Sequence, residues 1–297
     1  NQGLAFLSAM KGPYVLKADG LAAGKGVLIL SDLEEAKNEL KSMLLDEKFG
    51  EASSKVVIEQ FLDGIEFSVF VLTDGVKYVL FPEAKDYKKV GEGDVGLNTG
   101  GMGAISPVPF ADAAFMDKVL NRVVIPTIKG IKAEKITYNG FVFFGLINVK
   151  GDPYVIEYNC RMGDPETEVV MPRLQTDLVA LFAAMDNGTL IDANISYDTR
   201  SCATIMAVSG GYPGSYQKNK VITGLEADND MPNTLVFQAG TALAQNAVVT
   251  SGGRVLAVTA YGENISEAVV TATQRLQKIE FEGMNFRRDI GYEFENK

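Results

Sequence analysis

Residues 154–166 read YVIEYNCRMGDPE, and the rest of the chain is organised around how this stretch is read. Tyr154 to Asn159 has the composition of a strand, and the period of two puts Glu157 and Asn159 on one face. Arg161 follows on the same side if the strand continues. Two oxygen donors and a guanidinium leaving a buried strand are costly without partners. Mg²⁺ with a substrate phosphate would supply them, because magnesium takes one or two protein ligands and leaves the rest to phosphate and water. The alternative is an Arg–Glu pair that only stabilises the strand. Just upstream, GFVFFGLINV (140–149) reads as a second strand, joined to the first over Lys150-Gly151-Asp152. Both are nearly all apolar and are expected to be buried on both faces.

Composition narrows the chemistry. With 297 residues, 46% of them hydrophobic, the chain is long enough for one large or two ordinary domains with ample core. A net charge of −10 argues against a nucleic-acid surface, which needs a basic footprint. Histidine is absent, which excludes Ser-His-Asp and Cys-His mechanisms and any His-ligated metal. The two cysteines, Cys160 and Cys202, form no CxxC motif, so neither a disulfide framework nor a zinc site is expected. A metal here would be a hard cation held by oxygens, Mg²⁺ before others. No run of about eighteen apolar residues suggests a membrane span, and a cytoplasmic setting is expected.

Three further groups carry candidate chemistry. KADGLAAGKGV (17–27) looks like a phosphate loop, but its glycine spacing is short and Gly26 stands where a P-loop has Ser or Thr. A glycine-rich turn between strands can still bring backbone N–H groups to phosphate, with Lys17 and Lys25 adding charge; a plain hairpin with two solvated lysines is the other option. EQFLDGIE (59–66) leaves a strand at Glu59 and enters the next at Glu66. Phe61 and Leu62 between them suit the face of a purine, and a carboxylate suits ribose hydroxyls, although acidic residues at strand ends are often only solvated. AKDYKK (84–89), with Asp86 and Lys88, leads into GEGDVGLNTGGMG (91–103). That glycine-rich run is expected to be a long flexible loop, either a plain surface loop or a cover that closes over a reacting group through Asn98, Gly100 and Gly101.

Along the chain, YVLK and GVLIL read as strands, SDLEEAKNELKSMLL as an amphipathic helix, and Asp74-Gly75 as a hairpin turn between EFSVFVL and VKYVLFP. A helix over roughly 112–132 is expected to break near Pro126. After RMGDPETE comes a helix ending in DLVALFAAMDNG, and beyond residue 191 short strands and one helix near 266–278. The alternation of hairpins and helices gives an α+β class. A domain boundary is expected near 190–200.

Taken together, KADGLAAGKGV, EQFLDGIEFSV, DYKKVGEGDVGLNTGGMGAISP, VIEYNCRMGDPETE, GGRVL and RRDIGY resemble, in order, the signature segments of the phosphoribosylamine–glycine ligase family. That family belongs to the ATP-grasp ligases. The resemblance implies a lid subdomain (1–64), a larger antiparallel-sheet subdomain with the Mg-ATP site (65–192) and a small C-terminal domain (193–297). It also implies joining of glycine to 5-phosphoribosylamine through a glycyl phosphate, with ATP and Mg²⁺ or Mn²⁺. No protein nucleophile is needed, in keeping with the absence of histidine.

By the same resemblance, Lys17 and Lys25 grip ATP phosphates, Glu59, Phe61 and Leu62 hold adenine, and Glu66 meets the ribose. Glu157 and Asn159 ligate the metal, and Arg161, with Lys25, stabilises the transferring phosphoryl group. Asp86, Lys88, Asn98, Gly100, Gly101, Asp164, Glu166, Arg254, Arg287 and Arg288 are candidates for the substrate side. Two positions depart from the family motifs: Tyr87 stands where His is usual after Asp, and Gln238 where His follows Phe. The strand 141–149 lacks the carboxylate that many ATP-grasp enzymes use as a further metal ligand. The chain opens inside the lid region, so an N-terminal substrate domain is expected to be missing and the 297 residues alone are expected not to complete ligation. Two other readings stay open: another ATP-grasp ligase or carboxylase, and a nucleotide-binding module without catalysis.

Overall fold

In the computed structural model, which describes residues 1–20, 26–190, 195–226 and 231–294, the short apolar runs around Lys17 become strands. The chain forms two units, Asn1–Gly64 and Ile65–Lys297. In the smaller, helix α1 (Gln2–Ala9) precedes β1 (Tyr14–Ala18) and β2 (Val27–Leu30), followed by α2 (Leu33–Leu45) and β3 (Val56–Gln60). The antiparallel order is β2-β1-β3. Asp32 caps α2 by accepting the Glu35 N–H at 2.8 Å, satisfying a backbone donor that the first turn leaves open. The helices cover one face of the sheet, where Leu7, Leu16, Ala36, Leu40 and Met43 are buried. By the period of two, Lys17, Val27, Ile29, Val57 and Glu59 share the other face, and Val27, Ile29 and Val57 are exposed there.

The larger unit begins with β4 (Ile65–Thr73), β5 (Tyr78–Leu80), β6 (Lys85–Asp86), β7 (Lys89–Gly91), β8 (Val95–Asn98) and β9 (Gly103–Ser106). Helices α3 (Ala113–Val119) and α4 (Ile125–Ala133) follow, separated by a π turn over Leu120–Val124. That irregularity lies just before Pro126, whose ring and missing N–H disturb a regular helix. Next come β10 (Gly140–Val149), β11 (Asp152–Asn159), α5 (Thr167–Val170), α6 (Leu178–Asp186) and β12 (Ser201–Val208). The end of the chain supplies β13 (Thr234–Gln238), β14 (Thr241–Ala244), β15 (Ala247–Thr250), β16 (Arg254–Gly262) and α7 (Ile265–Leu276).

One sheet runs β11-β10-β4-β5 and another β13-β16-β12-β9-β6. An antiparallel bridge between Ser68 and Ala84 brings β4 to the segment entering β6. Strand β4 is buried on both faces. Phe67, Val69 and Val71 join a core with Phe144, Leu146 and Ile205, whereas Phe70 and Leu72 pack with Phe143 and Val169. Among the described residues no helix is long and apolar enough to cross a membrane.

Three sequence expectations change. Residues 91–103 are not one long loop: β7 and β8 form a hairpin, turned by Gly93 and Asp94 at positive φ, and β9 begins at Gly103. Strand β8 is exposed throughout and so shows no apolar alternation in the sequence. Strand β11 is not buried on both faces, because it is an edge strand with Tyr154, Glu157 and Tyr158 exposed. The helix after RMGDPETE is two short helices, α5 and α6, separated by residues 171–177. The larger unit spans position 192/193, and its second sheet joins β6 and β9 to β12, β13 and β16.

Candidate functional site

Three neighbouring strands build the floor of a cleft in the larger unit. Ser68 on β4 lies opposite Gly145 on β10, which lies opposite Glu157 on β11. Beyond that point Leu146 pairs with Val155, so Ile156 is an extra residue on β11. Such a bulge re-aims the side chain beside it. A Cβ at position 145 would stand 2.9 Å from the Glu157 Cγ, so glycine gives the Glu157 side chain room over β10. Asn159 pairs with Phe143 and donates from Nδ2 to Glu157 Oε1 at 3.2 Å. Glu157 and Asn159 therefore share a face as hard oxygen donors, which fit Mg²⁺ in kind.

The cleft above this floor is small, about 20 Å³, close to what one water or ion needs. Glu66, Ser68, Asp86, Lys88 and Glu157 line it. The Lys88 ammonium lies 2.6 Å from Glu66 Oε2 and 3.9 Å from Asp86 Oδ1. Burial lifts Asp86 above the ordinary carboxylate range; neighbouring Glu66 adds to the rise, and Lys88 and Lys85 oppose it. For Lys88 burial favours the neutral amine, but Asp86, Glu66 and Glu157 outweigh it and hold the ammonium charged well beyond its usual range. One ammonium thus faces three carboxylates, an excess of negative charge that suits a divalent cation. Among the described residues no three Asp, Glu or Cys side chains converge to hold a metal unaided.

Arg161 lies beyond the end of β11. Its guanidinium stands 5.7 Å from the centre of the Phe143 ring and donates to the Met162 carbonyl at 2.9 Å. Since Phe143 shares the face of Gly145, Arg161 is on the Glu157 side of the sheet. A second constellation forms around Arg254, whose guanidinium grips Asp164 at 2.7 and 2.8 Å and the Gly100 carbonyl at 2.8 Å. Gly101 adopts φ +117°, and any Cβ there would collide with the Pro165 ring, so the strap passes the Asp164-Pro165 turn only as glycine. Asn98 stays exposed at the end of β8, opposite Lys89.

Two substrate-side expectations are corrected. Arg287 is only 1% exposed and is engaged by Asp94 at 2.7 Å, Asp289 at 2.8 and 2.9 Å and the Lys89 carbonyl at 3.1 Å. It anchors the β7–β8 hairpin; its neighbour Arg288 remains exposed, 3.3 Å from Glu92. Glu166 is likewise no surface contact. It is buried, and its Oε1 accepts from the Ser68 hydroxyl at 2.9 Å.

In the smaller unit Lys17 pairs with Glu59 at 2.6 Å on the open sheet face, and Phe61 and Leu62 follow β3 half-buried. Lys25 lies outside the described residues. Ser68 is not among the sequence candidates, although a lone hydroxyl inside the apolar EFSVFVL is a usable signal, since a buried polar group needs a partner. Tyr87 and Lys85 turn away from the cleft, and both bond Glu293, at 2.9 Å each. Alternation in AKDYKK already separates them from Asp86 and Lys88.

The strands, the open face and the carboxylate-lined cleft define an ATP-grasp fold. Residues 1–167 match the family model described as phosphoribosylglycinamide synthetase, ATP-grasp (A) domain, and residues 202–293 match the C domain of the same synthetase. The phosphoribosylamine–glycine ligase of Pseudomonas aeruginosa is 47% identical over 97% of this chain and 67% of its own length, and that of Vibrio cholerae 46% identical over the same shares. The crystal structure of the Thermotoga maritima ligase superposes with a TM-score of 0.88 at 36% identity, covering 97% of this chain and 72% of that one. The biotin carboxylase domain of Hydrogenobacter thermophilus 2-oxoglutarate carboxylase, covering 96% of this chain and 60% of its own, has a TM-score of 0.68 at 16% identity and shares the fold alone. The chain belongs to the phosphoribosylamine–glycine ligase family.

Proposed function

We propose that this chain carries the ATP-using machinery of a ligase that joins glycine to 5-phosphoribosylamine, giving glycinamide ribonucleotide, ADP and phosphate in purine synthesis. The observation that carries this is the cleft in which Lys88 faces Glu66, Asp86 and Glu157, in a chain of this family. Glu157 and Asn159 would hold Mg²⁺, with Mn²⁺ the other hard cation of matching chemistry, and phosphate oxygens and water would complete its shell. When bound, the cation neutralises phosphate charge and orients the γ-phosphoryl group.

The chain's own residues then act by position and charge. Arg161, steadied against Phe143, is assigned to the equatorial oxygens of the transferring phosphoryl group. On the smaller unit Lys17 and Lys25 are assigned to ATP phosphates, and Glu59, Phe61 and Leu62 to the base. Glu66 is assigned to the ribose hydroxyls alongside its bond to Lys88. The glycine carboxylate attacks the γ-phosphorus and ADP leaves; the ribosyl amine then attacks the glycyl phosphate carbonyl and phosphate leaves. Held as an ammonium, Lys88 is suited to the acyl phosphate charge, with Asp86 beside it. Asn98, Gly100, Gly101, Asp164 and Arg254 are assigned to the substrate side, and exposed Arg288 to a sugar phosphate. The two unbridged cysteines support placing this chemistry in the cytoplasm.

Glycine omission tests the function. In the full-length protein ADP release should require both glycine and the ribosyl amine. Release sustained by bicarbonate in place of glycine would move the chain to a carboxylase reading, and Mg²⁺-ATP binding without any turnover would leave only a nucleotide-binding module.

A further inference from the structure

The two proposed steps differ in their protons. Transfer of the γ-phosphoryl group to a glycine carboxylate moves none, whereas acylation of an amine takes one off the nitrogen and delivers it to the departing phosphate oxygen. The cleft must therefore carry a proton off the nitrogen during the second step, and Lys88, held charged by its carboxylate neighbours, is not an acceptor.

The only hydroxyl among the residues lining the cleft is that of Ser68. Its backbone is fixed on both sides, with the N–H donating to the Ala84 carbonyl at 2.7 Å and the carbonyl accepting from Ala84 at 2.9 Å. The hydroxyl donates at 2.9 Å to Glu166 Oε1. Glu166 does not line the cleft; it is 4% exposed and its carboxylate lies over Gly163, where a Cβ would stand 2.5 Å away. A cleft hydroxyl backed by an enclosed carboxylate is the arrangement of a proton relay.

We propose that Ser68 and Glu166 form the proton relay of the cleft, an assignment that rests on the ligase reading above. The amine nitrogen forms the new bond to the glycyl carbon, and the bond from that carbon to the phosphate oxygen breaks with its electron pair. One amine proton passes to Ser68 Oγ as the Ser68 hydroxyl proton passes to Glu166. Glu166 then returns its proton through Ser68 to the departing phosphate, so atoms and charge balance as amide, monohydrogen phosphate and an ionised Glu166.

The surroundings support this role. Burial, followed by the nearby Asp86 charge, raises Glu166 to about 7, with backbone and Ser68 hydrogen bonds and Lys88 opposing the rise. A base works best when its proton affinity lies near the working pH. Besides Asp86 and Lys88, the charged groups on the elements around Glu166 include Glu66 on β4, Lys85 on β6, Glu168 on α5, Asp164 before it and Arg254 on β16, the last two paired with each other. Ser68 is the hydroxyl through which Glu166 meets the cleft, so Glu166 acts through it.

The test separates the two steps in the full-length protein. Positional isotope exchange in the γ-phosphate of ATP, with glycine and without the amine, reads phosphoryl transfer; product formation with the amine reads ligation. Glu166→Gln should leave glycine-dependent exchange near wild type and lower ligation about 100-fold, the usual scale for a lost acid–base group. The rise of ligation rate with pH near neutrality should vanish, and Ser68→Ala should behave alike. Equal losses in both steps would mean a structural role and overturn the relay. Normal ligation in Glu166→Gln with loss in Asp86→Asn would give the proton to Asp86 and overturn it too. A wild type without glycine-dependent exchange would instead sink the ligase reading beneath it.

Discussion

Two charge clusters lie on opposite sides of residues 85–88, and they are balanced differently. On the side away from the cleft, Lys85 meets Glu293 at 2.9 Å and Arg287 meets Asp94 and Asp289 at 2.7 and 2.8 Å. The Tyr87 and Tyr292 hydroxyls donate to Glu293 and Asp94, and the Gly93 N–H to Asp289. Every carboxylate in that cluster has donors of its own. For Asp289, burial raises proton affinity but the Arg287 hydrogen bonds overcome it, leaving the carboxyl below its usual range. On the cleft side one ammonium, that of Lys88, is shared among Glu66, Asp86 and Glu157, and burial leaves Asp86 raised. Matched charges hold a structure together; unmatched ones are kept for a ligand that brings the missing charge.

Removing Arg287 should show the largest effect on stability. Arg287→Met leaves Asp94 and Asp289 without their guanidinium, which should cost about 3 kcal/mol after allowing for their partial exposure, read by urea unfolding. Unchanged stability with weakened sugar-phosphate binding would restore Arg287 to the substrate side and erase the contrast. Removing charge from the other cluster should do the opposite. Glu157→Gln should keep the fold within about 0.5 kcal/mol, as at an exposed position, yet lower glycine-dependent ADP release about 100-fold, comparable to removing one charge-stabilising group. Near-normal turnover would take Glu157 out of the metal site.

A smaller effect concerns pH. Because Glu166 is raised to about 7, the folded protein binds its proton more tightly than the unfolded chain does. This contribution to stability is complete below the unfolded carboxyl value and is lost as pH rises through 7. Between pH 5 and 8 the wild type should lose up to about 2–3 kcal/mol relative to Glu166→Gln, measured by denaturation at each pH. Parallel curves for the two proteins would mean that the buried carboxyl is not strained by its surroundings. The smallest effect belongs to Arg254→Gln. The pair it breaks is bidentate, but Asp164 is 61% exposed, so the loss in urea unfolding should be about 1 kcal/mol and should shrink as salt is added. A loss matching that of Arg287 would show that exposure does not divide these arginines.

Much of the site is legible in the sequence. Alternation alone puts Glu157 with Asn159 and Asp86 with Lys88, and the fold keeps both pairs on their shared faces. Asp74-Gly75 marks a true hairpin, and Pro126 sits at the edge of a real helical irregularity. The glycine-rich run conceals a hairpin because neither of its strands buries an apolar row; its backbone is held by Arg287 and Asp289 from far along the chain.

By itself, then, the sequence determined which chemistries are excluded, most of the strands and helices, and which neighbouring side chains share a face, since these follow from residue type and short periods. Only the tertiary structure decided that Ile156 bulges to re-aim Glu157, that Arg287 is spent on the β7–β8 hairpin, and that Glu166 lies behind Ser68. The physical reason is distance along the chain. Ser68 and Glu166 are 98 residues apart and Tyr87 and Glu293 are 206 apart, and burial depth and charge pairing at such separations are set by packing, which no local pattern encodes.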